Sequence, residues 1–222
     1  MPKYVLEFQK KGLVKYTSHL DMLRLFKRAF KITGIPLEYS KGYNPHPKMG
    51  FAQPLSLGFT SEAEYLEFST YENLRKDFIL ERLKDEMPEG IILKSLESAT
   101  TDKTLASLVV SATYRAVLPL SYRSRIDDIT TSIKDYLNQE EIIAQKREKK
   151  TKKYVDKDIK PQIISIEIEN YQERIALLML LDAGSSSNLN PELVIQSFSK
   201  FSGITLEKGD VEIERLSMKL AE

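Results

Sequence analysis

Only two histidines occur in this chain of 222 residues, and each sits among residues that invite chemistry. His19 falls in Ser18-His19-Leu20-Asp21, and His46 in Gly42-Tyr43-Asn44-Pro45-His46-Pro47-Lys48. An imidazole titrates near neutral pH, so either ring can bind a phosphodiester as a cation or act on it as an acid or base. Pro45 and Pro47 stiffen the backbone on both sides of His46. Arg24, Arg28 and Lys31 form one stripe of the segment after His19, with Lys27 beside it. The loop around His46 adds Lys41, Tyr43, Asn44 and Lys48. Backbone N–H groups at the start of a helix also bind anions. Cations, a stacking ring and a helix N-terminus together suit a phosphate-bearing partner, single-stranded RNA first among them. The candidate substrate-binding set is therefore Ser18, His19, Asp21, Arg24, Arg28, Lys41, Tyr43, Asn44, His46 and Lys48, with His19 and His46 as the candidate catalytic groups.

Plainer readings stand beside each of these. His19 can simply cap or pack at a helix start, and His46 can belong to a stiff turn. Helical Arg and Lys most often form a solvated face whose stems cover apolar surface. What favours function is the combination. A second basic feature lies in "KREKKTKKYVDKDIK", where Lys146, Arg147, Lys149, Lys150, Lys152 and Lys153 fall within eight positions. After a strand, such a run reads as a hairpin tip or arm touching an RNA backbone, or as a solvated loop.

Nothing else in the chain announces a reaction. There is no Walker motif, GxSxG or HExxH, and no pattern of metal ligands beyond the two histidines and Asp21. No metal or cofactor is expected. The absence of cysteine excludes a disulfide framework, a thiol nucleophile and an iron–sulfur cluster held by this chain alone, and fits a reducing cytoplasm. No apolar run is long enough for a membrane span, so no membrane partner is expected. With 33 basic and 32 acidic residues the net charge is +1, and any nucleic-acid binding must come from local patches.

The elements that must position these residues follow from hydrophobic periodicity. "YVLEFQ" alternates as a strand, and "TSHLDMLRLFKRAFKITG" reads as a helix with Ser18 and Asp21 spaced as a capping box and Gly34 as its C-cap. "IPLEY" reads as a second strand, left by the loop Ser40 to Gly50. "EYLEFST", a helix over "ENLRKDFILERLKDEMPEG" and "IILKSLES" complete the first set. Strand, helix, strand, strand, helix, strand is the split βαβ order. It recurs after Lys103 through "TYRAVLPL", a helix over "SRIDDITTSIKDYLNQ", "EIIAQKRE", "QIISIEIE", the apolar central strand "RIALLMLLDA", a helix capped by Asn190 and "GDVEIERLSMKL". The expected architecture is α+β: two tandem ferredoxin-like domains, residues 1–100 with the histidine site and 101–222 decorated with an extra strand. In a right-handed crossover the first two strands run parallel, which would bring His19 and His46 to one sheet edge within about 15 Å, a few strand spacings. His19, Asp21, Arg24, Tyr43, Asn44 and His46 should then line one groove.

Three segments, "YTSHLDMLRLFKRAF", "GIPLEYSKGYNPHPKMGFAQPLSLG" and "EAEYLEF", resemble the radical SAM-linked domain family of bacteria, which is biochemically uncharacterised. The resemblance spans nearly the whole chain; Tyr43 stands where the family usually has Phe. It implies a radical SAM protein as partner, with this chain as the separate companion, because the radical SAM cysteine triad is missing here. The tandem layout is also similar to CRISPR RNA-processing endonucleases of the Cas-six kind, some of which use histidine without a metal. Three functions follow as expectations. The first is a non-catalytic module that binds RNA or an RNA-linked substrate beside a radical SAM enzyme. The others are a metal-independent endoribonuclease using His19 or His46, and a protein–protein adaptor without a ligand.

Overall fold

A computed structural model describes residues 1–147, 153–206 and 209–221. The protein is mixed α+β, and every strand pairing with a described register is antiparallel. It divides into two compact units, Met1–Val109 with Ser217–Glu222, and Val110–Leu216.

In the first unit β1 (Lys3–Lys10) alternates buried and half-buried positions, so Tyr4, Leu6 and Phe8 enter the core together. Helix α1 (His19–Thr33) follows after a 3-10 turn, then β2 (Met49–Phe51), β3 (Thr60–Ser69), α2 (Lys76–Lys84), β4 (Ile91–Ser98) and the short α3 (Leu105–Leu108). The strands lie in the order β4-β1-β3, with β2 on the outer side of β3. Met22, Phe26, Ala29 and Phe30 of α1 and Ile79 and Leu83 of α2 cover one sheet face. Burying each such large side chain is worth about 1.5–3 kcal/mol before the entropy of ordering it. Tyr4 is buried yet satisfied, because its hydroxyl accepts from Leu74 N at 2.9 Å and donates to Leu74 O at 3.0 Å.

The second strand is not where the periodicity put it. "IPLEY" makes only an isolated bridge, Leu37 to Thr70, before turning into a hairpin, and β2 forms ten residues later. Pro36 has no N–H for a ladder, which confines the segment to the sheet margin. The hairpin thus precedes β2 rather than following it.

From Val110 on, the second unit takes in β5 (Val109–Val117), α4 (Ile126–Asn138), β6 (Ile143–Arg147), β7 (Tyr154–Asp158), β8 (Ile163–Tyr171), β9 (Arg174–Asp182), α5 (Pro191–Ser202) and the first part of β10 (Glu212–Leu220), whose residues from Ser217 on belong to the first unit. Strand β9 is flanked by β5 and β8, as its continuous apolar run requires, and β10 lies on the far side of β5. Asn190 caps α5, its side chain accepting from Glu192 N at 3.0 Å. Strands β6 and β7 pair with each other as a separate two-stranded ribbon. Periodicity missed β7, because "YVDKD" buries none of its side chains and carries no apolar alternation.

Candidate functional site

At the start of α1 Ser18 forms the N-cap half of the expected capping box, while the Asp21 carboxylate takes the Ser18 hydroxyl rather than the Ser18 backbone N–H. Asp21 N donates to Ser18 Oγ at 3.2 Å, and Ser18 Oγ donates to Asp21 Oδ2 at 2.7 Å. Arg24 Nη1 donates to Asp21 Oδ1 at 2.7 Å. The Ser18 hydroxyl, and after it the Arg24 guanidinium, hold the Asp21 carboxyl below the usual carboxylate range. Ser18, Asp21 and Arg24 thus engage one another. Arg28 lies farther along α1, exposed, in a groove against Asp85 and Glu86.

His19 lies edge-on to Phe51, with ring centroids 5.3 Å apart, and among the described residues no hydrogen bond engages its imidazole. It lines a small recess with Lys10, Gln53 and Glu64 over an apolar floor of Phe8, Met22 and Phe51. Lys10 and Glu64 are each only 4% exposed. Lys10 Nζ donates to the Thr17 carbonyl at 2.9 Å. Reading by motif missed these two charges, although the signal was there. The alternation Tyr4, Leu6, Phe8 continues inward to Lys10, and Phe68, Leu66 continues back to Glu64, so both charges fall on core-facing positions.

The other predicted residues stand elsewhere. Ser40 N donates to His46 O at 2.8 Å and Lys48 N to Glu38 O at 2.7 Å, closing a hairpin whose tip is Lys41 to Pro45. Gly42 takes φ +132°, a value few other residues reach. Lys48 pairs with Glu38 at 2.5 Å. Lys41, Tyr43, Asn44 and His46 are all exposed, and Tyr43 fully so.

The expected single groove does not form. Strands β1 and β2 both run antiparallel to β3, and Tyr4 and Met49 both pair with Phe68. The hairpin therefore enters β2 at the edge where β1 begins, whereas α1 starts past the edge where β1 ends. His19 and His46 belong to two places because the loop comes before its strand.

In the second unit the ribbon gathers part of the second basic feature. The register pairs Lys146 with Val155 and Arg147 with Tyr154, with Lys153 adjoining at the same end. Lys146, Lys153, Tyr154 and Val155 are exposed there. Lys149, Lys150 and Lys152, and the side chain of Arg147, lie outside the described residues.

Fold and surface define an α+β protein of two small units that presents an exposed aromatic hairpin in one and a basic ribbon in the other. The chain belongs to the family described as an uncharacterized protein conserved in bacteria (DUF2344), which it matches over residues 3–191. No curated protein matches it. Among solved structures it aligns with one titled as an unknown protein from Galdieria sulphuraria, at 10% identity over 100% of this chain and 99% of that one, with a TM-score of 0.28. No helix among the described residues is long and apolar enough to cross a membrane.

Proposed function

We propose that the protein is a non-catalytic module of the bacterial cytoplasm that binds RNA or an RNA-linked substrate and works beside a radical SAM enzyme. The observation that carries the RNA reading is the β6–β7 ribbon, whose Arg147–Tyr154 end presents the exposed Lys146 and Lys153 and the exposed ring of Tyr154. Cations on such a ribbon neutralise phosphates and release counterions, and an adjacent ring stacks on any unpaired base. The exposed Tyr43 and Lys41 of the hairpin supply the same pair of groups in the first unit. The radical SAM partnership rests on the resemblance of the SHLD and GYNPHPK segments. Two ferredoxin-like domains are part of the same proposal, supported by the strand orders β4-β1-β3-β2 and β10-β5-β9-β8, each with two helices interleaved as in the split βαβ unit.

The test is retention of labelled single-stranded RNA across a salt series. Retention that falls as salt rises, with no cleavage, is the expected result. Replacing Lys146 and Lys153 together by Ala should reduce the salt slope by about 1–2, close to one for each phosphate no longer neutralised. No retention at low salt would refute the reading.

A second reading, a metal-independent endoribonuclease, has one observation in its favour. The half-buried His19 imidazole, free of hydrogen bonds among the described residues, shares its recess with a buried ammonium and a buried carboxylate. Cleavage in the same incubations, lost in His19→Ala, would select it.

A further inference from the structure

We propose that the groove between the β6–β7 ribbon and α5 receives one unpaired nucleobase bearing an exocyclic amine, from the RNA strand whose backbone the ribbon holds. The proposal rests on the RNA reading and adds a base-recognition site to it. The groove encloses about 520 Å³, within the roughly 300–1,000 Å³ typical of ligand sites. Its walls include Gln145 and Asp156 from the ribbon and Gln196, Lys200 and Phe201 from α5, with Tyr136 of α4 beneath.

Two features point to a base. The first is a stacking surface. Phe201 is 43% exposed, and its ring packs on Tyr136 with centroids 5.6 Å apart, while Tyr136 meets the buried Phe198 at 5.5 Å. A ring braced by Tyr136, which is in turn braced by Phe198, offers a fixed face, and stacking one base on such a face is worth roughly tenfold in affinity. The second is the polar rim. Among the described residues the side chains of Gln145, Gln196 and Asp156 make no hydrogen bond to the protein. A carboxylate only accepts, and an amide accepts and donates, so the set favours a base edge that offers an amine hydrogen: cytosine, adenine or guanine over uracil.

Continuity with the ribbon decides for RNA over a free small molecule. Gln145 stands two residues before Arg147 on the same strand, about 7 Å along it, which is on the scale of one nucleotide step. A backbone lying on the basic end of the ribbon would have a base within reach of the groove. Lys200, at the other wall, meets the neighbouring phosphate.

Fluorescence anisotropy with labelled 12-nucleotide strands of cytidine, adenosine or uridine, at one fixed salt concentration, tests this. The unaltered protein should bind the first two about tenfold tighter than the third. Phe201→Ala should lose about tenfold on cytidine and adenosine strands. Gln196→Ala and Asp156→Asn, both at exposed positions, should shrink the preference with unchanged thermal melts. The Lys146→Ala, Lys153→Ala double variant should weaken all three strands equally. Equal binding of the three strands, or a preference indifferent to Gln196→Ala and Asp156→Asn, overturns the groove while the RNA reading stands. Absence of binding to every strand overturns both.

Discussion

Asp77 and Ser18 carry the clearest consequences at the scale of single residues. The Arg75 guanidinium, followed by the Phe78 N–H, pulls the Asp77 carboxyl down to about 2. Its folded pKa lies below the unfolded value of about 3.9. The pairing therefore stabilises the native state above about pH 4, and that contribution disappears as pH falls toward 2. A carboxyl NMR titration should give Asp77 a midpoint near 2, and Asp77→Asn should flatten the stability profile below pH 4. A midpoint near 3.9 would mean that the exposed pair does not persist in solution. Ser18→Ala removes the hydroxyl that accepts from Asp21 N, so it should cost about 1 kcal/mol, the usual loss for an N-cap. On a unit of about 100 residues that corresponds to a fall of roughly 4–8 °C in Tm, read by calorimetry.

Two turns separate structural from binding roles at the scale of elements. Gly90 precedes β4 with φ +93°, and its carbonyl accepts from Lys11 N at 2.8 Å. A Cβ there would collide with the Lys11 carbonyl oxygen, a backbone atom that cannot swing away. Gly90→Ala should therefore cost at least about 1–3 kcal/mol, measured by urea unfolding, with β1 and β4 loosened at that end. Tyr43, at the tip of the Ser40–Lys48 hairpin, touches solvent on all sides. Tyr43→Ala should change stability by less than about 0.5 kcal/mol yet weaken RNA retention. Loss of stability without loss of retention would make the hairpin a structural clasp.

At the scale of the whole molecule the near-balance of charge matters most. A net charge of +1 gives no long-range pull on a polyanion, so the proposed RNA binding would depend on the ribbon and the hairpin at short range. Retention should fall linearly with the logarithm of salt concentration, with a slope set by the few phosphates engaged. Partnership is the other property at this scale. A complex with a radical SAM protein should bury on the order of 1,000 Å² or more and survive a pull-down at moderate salt. Failure of the two to associate, with or without RNA, would remove the accessory role while leaving RNA binding open to direct measurement.

The helices were legible in the sequence because the information that makes them is local, although α2, read over residues 72–90, spans only Lys76–Lys84. Ser18 and Asp21, Gly34, and Asn190 with Pro191 lie within a few residues of the groups they satisfy, and α1 begins and ends, and α5 begins, where those residues say. The apolar run of β9 likewise declared a central strand. Only the tertiary structure decided what the strands bring together. Whether "IPLEY" or Met49–Phe51 pairs beside β3 depends on partners some twenty to thirty residues away, and that choice sent His46 to one edge and His19 to the other. The same holds for Lys10 and Glu64. Their alternation put them on the core side, but only the packing of α1 over β1 and β3 made them neighbours of His19 in one recess. A strand's ladder bonds are made to another segment, so its place is settled by which segment reaches it. A helix closes its hydrogen bonds within itself.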